Sequence, residues 1–240
     1  MMRSVRTGAP LFFIHIMKTA GTSLRNNIRA EFDDLDLYPS RHYDADMHEA
    51  NNSIRYLLSI PPERRDRIRA YMGHFPYVAT ELLGQELTTL TTLRDPIERA
   101  ISQLKHLRIW SPEHKDLTLE AIYEDPILHP CFLRNHQSKI FALAKSDNPE
   151  TYRDVLEVDD RRLALAKENL DRVDVVGVVE RYDEFLQTVE SRFGWRIDPS
   201  TRLRVGPADE VSEALRRKIR DDNEADLDFY EHACGLLRAK

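Results

Sequence analysis

The chain has only two cysteines among 240 residues, Cys131 and Cys234, and they share no CxxC spacing. That excludes a zinc knuckle or a redox dithiol built on neighbouring cysteines. Both fall in helical patterns, so two buried thiols are expected rather than a disulfide. No apolar run approaches the ~20 residues that a membrane span needs, and the opening MMRSVRTGAP is too short and polar for a signal peptide. A soluble protein of a reducing, cytoplasmic compartment is expected. An excess of positive charge is lacking too: 35 Lys and Arg stand against 41 Asp and Glu, a formal net charge of −6. This balance excludes a generally basic nucleic-acid binder and leaves room only for a local basic cleft. The nine histidines are scattered without metal-ligand spacing, so no metal is expected. His42, His48, His129 and His136 read as solvated or capping groups. No internal repeat, low-complexity linker or shift in composition marks a boundary, which makes 1–240 one domain with its core over 11–235.

What the chain does have is an alternation of strand and helix patterns. Residues 11–16 form a short apolar run, and 23–32 follow with Leu24, Ile28 and Phe32 on one helical stripe. The acidic, aromatic stretch 31–46 reads as a long loop, and 46–58 as a helix. Further strands are expected at 68–73, 87–93 and 173–180. Helices are expected at 97–109, 117–123, 127–145, 160–171 and 181–193, and 209–238 reads as two more. Asp95-Pro96-Ile97-Glu98 is a strong helix start, with Asp as cap and Pro at the first helical position. Strands alternating with helices predict an α/β fold, a parallel sheet with helices on both faces. Ligands of such sheets bind beyond the carboxyl ends of the strands. Lys18, His74, Arg94 and the pair Glu180-Arg181 each follow one of the four expected strands.

The first of these corners, Lys18-Thr19-Ala20-Gly21-Thr22-Ser23, joins a strand to a helix. Backbone N–H groups and the positive end of the helix dipole converge at such a corner and suit an anion. Gly21 allows a tight turn and close backbone approach, Thr19, Thr22 and Ser23 add hydroxyls, and Lys18 adds a charge. The competing reading is an ordinary turn with a solvated lysine. Because Lys18 precedes the corner's only glycine, the pattern departs from GxxxxGK[ST], which speaks against ATP or GTP hydrolysis.

The segment IHIMKTAGTSL closely resembles the FIHIPKTAGTSL loop of sulfotransferase family 2, the carbohydrate sulfotransferase type. Other segments resemble that family in order: GHFPY at 73–77, LRDPIERAISQL beginning at Leu93, NHQSKIFAL at 135–143, VVGVVERYDEFL, and the acidic DNEADLDFYEHA. Met17 stands where the family usually has proline, Leu104 where an aromatic is common, and Ser138, Lys139 and Ile140 replace Thr, Arg and Tyr. The resemblance implies a P-loop NTPase-like sulfotransferase fold and the donor 3′-phosphoadenylyl sulfate (PAPS), with 3′-phosphoadenosine 5′-phosphate (PAP) as product. It implies that Lys18, Thr19, Ala20, Gly21, Thr22 and Ser23 cradle the 5′ end, that Arg94 and Ser102 bind the 3′-phosphate, and that His74 is the base.

Under that resemblance the chemistry is an in-line transfer to a hydroxyl of a carbohydrate or small molecule, with Lys18 at the leaving oxygen. Glu180 and the carboxylates at 33–36 are rival bases, and Arg99 reads as a surface or salt-bridging residue. The acceptor pocket is expected from the acidic loop 33–46, the 75–84 region and the 108–150 helices. The absence of a membrane anchor suggests a bacterial enzyme. A small-molecule kinase and a non-catalytic nucleotide-binding protein are the alternatives.

Overall fold

The computed structural model describes residues 8–150, 156–195, 197 and 211–238. Five parallel strands form one sheet: β1 (Leu11–Ile14), β2 (Leu37–Tyr38), β3 (Ala70–Tyr71), β4 (Thr88–Leu93) and β5 (Val175–Val178), in the spatial order β2-β3-β1-β4-β5. In register, Leu11 lies opposite both Ala70 and Thr88, and Leu93 opposite Val178. The chain runs from β1 outward to β2, returns through β3, and then crosses β1 to reach β4 and β5. Strand order therefore reverses at β1, and the crevice above its carboxyl end is where open α/β sheets bind ligands.

The strands are apolar because both faces of the sheet are covered. Phe12 and Ile14 face a core shared with Tyr71, Phe75, Phe141 and Phe229. Leu11 and Phe13 face the opposite one, shared with Leu24, Ile28, Phe185 and Trp195. The helices α1 (Gly21–Glu31) and, near the chain's end, Tyr182–Phe193 supply that second face. A third cluster joins Ile97, Ile101, Leu104, Ile122, Leu133, Leu215 and Ile219.

Along the chain the remaining helices are α2 (Met47–Asn52), α3 (Ile54–Leu58), α4 (Pro62–Arg65), α5 (Val78–Leu82), α6 (Pro96–Trp110), α7 (Leu119–Tyr123), α8 (His136–Phe141) and α9 (Asp160–Asp171). Tyr182–Phe193 is α10, followed by α11 (Glu213–Asp222) and α12 (Glu224–Arg238). The α6 start forms as its residues require: Asp95 Oδ1 accepts from the amides of Ile97 and Glu98, each at 3.0 Å.

Four expectations need correction. The stretch 31–46 contains a strand, β2, which is only two residues long and so leaves no alternating pattern. The expected helix 46–58 breaks at Ser53, whose hydroxyl accepts from Tyr56 N and caps a second helix. The expected helix 127–145 breaks at Asn135, which adopts a left-handed conformation at φ 47°. Of the expected 209–238, residues 209 and 210 lie outside the described residues. Neither Cys131 nor Cys234 is in a disulfide, and both are half-buried rather than buried.

Among the described residues, no helix is long and apolar enough to cross a membrane.

Candidate functional site

The carboxyl edge of the sheet carries a row of polar side chains. Read across β3, β1, β4 and β5, the strands are followed by His74, Lys18, Arg94 and Glu180. The four predicted positions thus share one edge, with Lys18 at the point of reversal.

The loop between β1 and α1 is held in an unusual shape. Lys18 and Ala20 both have left-handed backbones, at φ 70° and 66°. Each such residue other than glycine costs about 1–2 kcal/mol, so the surroundings must enforce the shape. Thr19 does so between them. It is fully buried, and its hydroxyl donates to Ile16 O at 2.9 Å. The Thr92 hydroxyl on β4 donates in turn to Thr19 O at 2.7 Å. Thr19 is therefore a fastener beneath the loop rather than a hydroxyl offered to a ligand.

Gly21 also differs in role from the expectation. The turn's left-handed residues are its neighbours, and Gly21 is required for space, because a Cβ there would sit 1.9 Å from His15 Nε2. Ala20 stands at the cap of α1 without any side-chain capping bond. Among the described residues, the amides of residues 18 to 22 donate to no protein group. Thr22 is exposed and Ser23 half-buried at this open helix end. Unpaired amides at a helix start, together with its dipole, attract an anion.

Three cations crowd this loop. Burial pulls the Lys18 ammonium below its ordinary pKa, and the neighbouring Arg94 and Arg99 guanidiniums add to the effect. Arg94 Nη1 donates to Lys18 O at 3.4 Å. Its peptide is clamped by Gln137 on α8, whose Oε1 accepts from Arg94 N at 3.0 Å while its Nε2 donates to Arg94 O at 2.8 Å. Arg99 is not a surface residue: it is completely buried, and its Nη2 donates to the carbonyls of Phe132 and Leu133 at 2.9 and 3.1 Å. Its Nε and Nη1 have no partner among the described residues, and burial lowers its pKa to about 10. None of the three cations has a carboxylate within ion-pairing distance among the described residues. Ser102 lies half-buried on α6 between Arg99 and His106, all three on one helical face. His106 is exposed, and partial desolvation and then Lys18 lower its pKa.

His74 faces the other side of Lys18. Its ring stacks on the buried His15 ring, with centroids 4.2 Å apart, and its Nδ1 lies 3.1 Å from His15 O. A carbonyl only accepts, so Nδ1 carries the proton, and in the neutral ring Nε2 carries the lone pair. This tautomer suits a general base. His15 supports the ring from below and is kept neutral by burial, with His74 and Arg25 adding to the depression.

Three of the rival bases, Glu180, Asp34 and Asp36, are engaged elsewhere. Glu180 Oε1 accepts from Asp95 N at 3.0 Å and its Oε2 from the Tyr230 hydroxyl at 2.7 Å. Arg181 is paired with Glu184. Asp34 accepts from Ser40 Oγ and from both His42 N and its ring, and Asp36 accepts from Arg67. The 75–84 region does not line a pocket on this edge as expected, because residues 75–80 are buried in the core. His42 and His129 pair with Asp34 and Asp222, whereas His136 is buried rather than solvated, and its Nδ1 reaches Cys131 O at 3.3 Å.

Two acidic-helix residues explain the 135–143 stretch. Asp226 is fully buried and accepts from Ser138 N, Ser138 Oγ and Gln137 N at 2.7 to 3.0 Å, capping α8. Asn223 Oδ1 accepts from Asn135 N at 2.8 Å. The acidic stretch of α11 and α12 therefore holds α8, and α8 holds Arg94. Sequence reasoning missed Gln137 and Arg99: the first acts across 43 residues, and the second reads as a surface arginine.

Among the described residues, no group of three or more His, Cys, Asp or Glu is arranged to hold a metal ion. Compared with known protein families and curated proteins, the chain matches no family model and no curated sequence.

Proposed function

We propose that the protein is a PAPS-dependent sulfotransferase of the P-loop-like type resembling sulfotransferase family 2, acting on a hydroxyl of a carbohydrate or small molecule. The observation that carries this is the positive loop: amides of residues 18–22 that donate to no protein group among the described residues, and Lys18 and Arg94 without a paired carboxylate among them, beside a buried Arg99 that Asp226 partly balances, in a chain of net charge −6. Gathering like charges in a partly buried place is unfavourable unless an anion belongs there. A donor with phosphates at both ends of an adenosine fits the two parts of this surface. The amides of residues 18–22, with the hydroxyls of Thr22 and Ser23, grip the 5′ phosphosulfate; Arg94 and Ser102 grip the 3′-phosphate.

The donor supplies an activated sulfuryl group. His74 Nε2 takes the proton of the acceptor hydroxyl as its oxygen bonds to sulfur. The sulfur–oxygen bond to the 5′-phosphate breaks, and Lys18 balances the charge that develops on the leaving oxygen. Lys18 is suited to this because its desolvation strengthens its field at short range. His15 and the His15 carbonyl hold the base's ring plane and tautomer. Arg99 is too deeply buried to touch a ligand and acts as a fixed positive charge beneath the loop.

The test is transfer of labelled sulfate from PAPS to a panel of hydroxyl acceptors, beside binding of PAP and of ATP with magnesium. Transfer is expected, with Lys18→Ala and His74→Ala each lowering its rate by about 100-fold or more, and with PAP binding far more tightly than ATP–magnesium. Tighter binding of ATP–magnesium would point to a kinase. Binding of PAP without transfer to any acceptor would point to a non-catalytic nucleotide-binding protein.

A further inference from the structure

The last turn of α6 departs from the pattern of the rest of the helix. One side buries Ile97, Ala100, Ile101 and Leu104, and the solvent side carries Glu98, Ser102, Lys105 and His106. Ile109 and Trp110 complete that solvent side, and they are 56% and 72% exposed. A single apolar residue on a surface needs no explanation, but two large ones ending a polar side do. The chain then leaves α6 through two tight turns, His114 N donating to Ser111 O at 2.9 Å and Leu117 N to His114 O at 3.1 Å. Leu117 is exposed as well. The chain's other tryptophan, Trp195, is buried against Phe193.

This apolar end is in line with the donor grips. Ser102, His106 and Trp110 follow one another at intervals of four, so they share a face of α6, and Ile109 lies beside them at seven from Ser102. The His106 and Trp110 rings are 6.2 Å apart between centroids. At the beginning of the helix Arg94 Nη1 donates to Lys18 O at 3.4 Å, which sets the loop against it. The Lys18 charge acts on His106 and the Arg99 charge acts on Lys18, so the ammonium lies beside the two turns of α6 that separate those residues. The face thus runs from Ser102, past Lys18, to Trp110, about 12 Å along the axis from Ser102. With the 3′-phosphate at Ser102 and the leaving oxygen at Lys18, the donor is accounted for before the face reaches Trp110. In an in-line transfer the attacking hydroxyl approaches from the side opposite the leaving oxygen.

We infer that Trp110 and Ile109 form an apolar subsite for an aryl or alkyl group of the acceptor, where the α6 face continues past the donor. This inference rests on the proposed sulfuryl transfer and deepens it, since it gives the acceptor an apolar group besides its hydroxyl. An exposed indole suits such a group: a ring stacks on it with an offset, and an alkyl chain covers it and leaves water.

The experiment uses the full chain saturated with PAP and compares phenyl β-D-glucopyranoside with methyl β-D-glucopyranoside, two probes that differ only in the apolar group. Dissociation constants come from ligand-observed NMR, and PAP affinity is measured first for every variant. The phenyl glucoside is expected to bind at least about tenfold more tightly than the methyl glucoside. Trp110→Ala is expected to weaken it by about tenfold and Ile109→Ser by about threefold, leaving the methyl glucoside within about twofold. Both positions are exposed, so folding is not at stake, and PAP affinity should stay within about twofold. Equal or undetectable binding of the two glucosides, or a preference for phenyl that survives both substitutions, overturns the inference and leaves the sulfotransferase proposal intact. A Trp110→Ala variant that loses PAP affinity also overturns it, by giving the ring to the donor. So does sedimentation that shows the unsubstituted chain dimeric and the variant monomeric, by giving the patch to a second copy. Failure of the unsubstituted protein to bind PAP overturns the proposal itself and the inference that rests on it.

Discussion

At the scale of single residues, Ala20 and Gly21 have exchanged the roles that their types suggest. The left-handed backbone falls on Ala20, while Gly21 gives its missing side chain to the His15 ring. Substitutions at the two positions should therefore shift stability in opposite directions. Gly21→Ala drives a methyl into a packed ring and is expected to destabilise the fold by about 1–3 kcal/mol. Ala20→Gly removes a steric penalty and is expected to be neutral or to stabilise by up to about 1 kcal/mol. Urea unfolding of both variants checks this, and a destabilising Ala20→Gly beside a neutral Gly21→Ala contradicts the described loop. The sequence shows that a glycine is needed at this corner, but the reason lies six residues earlier, in the direction of the His15 side chain. Arg99 is a similar case. An arginine one turn into a helix reads as solvated until Phe132 and Leu133 are seen to close over it.

At the scale of elements, the site depends on a relay of short helices. Asp226 on α12 caps α8, and Gln137 on α8 grips the peptide of Arg94 from both sides. Under the proposed function Gln137 is a positioning residue, since it holds the Arg94 backbone and not its guanidinium. Gln137→Ala is expected to weaken PAP by roughly tenfold through loss of Arg94 placement, while adenosine 5′-phosphate, which has no 3′-phosphate, changes by less than about twofold. A merely structural loss would weaken both nucleotides alike, so the difference between them decides the matter. The strand ends behind this relay were legible because each closes a run of strand-forming residues: Lys18 after LFFIHIM, polar only at His15, and Arg94 after the threonine- and leucine-rich LTTLTTL. The two-residue strand β2 and the breaks at Ser53 and Asn135 were not. They depend on a single sheet partner, a single hydroxyl and a single left-handed residue.

At the scale of the whole molecule, buried histidines tie stability to pH. His15 and His136 are held well below the ordinary histidine value, chiefly by burial, so the folded protein keeps them neutral. The unfolded chain protonates both near pH 6.5, and the stability present above that value is lost as pH falls below it. Each such histidine lowers stability by up to about 1.4 kcal/mol per pH unit in this window. The urea midpoint is expected to be level above about pH 7 and to fall between pH 6.5 and 5.5, before carboxylates begin to titrate. A midpoint that stays level down to pH 5.5 contradicts the neutral, buried state of these rings. The α/β class and the parallel sheet could be read from the alternation of patterns. The strand order could not, because it is set by long-range pairing on either side of β1.

The two-ended grip on adenosine is tested most directly by titrating PAP and adenosine 5′-phosphate, by calorimetry, into the unsubstituted protein and into Arg94→Gln. The 3′-phosphate should make PAP bind at least about tenfold more tightly than adenosine 5′-phosphate to the unsubstituted protein, and Arg94→Gln should bring the two nearly level. Equal affinities at the outset, or a gap that survives the loss of Arg94, contradict the grip and the enzyme proposed from it.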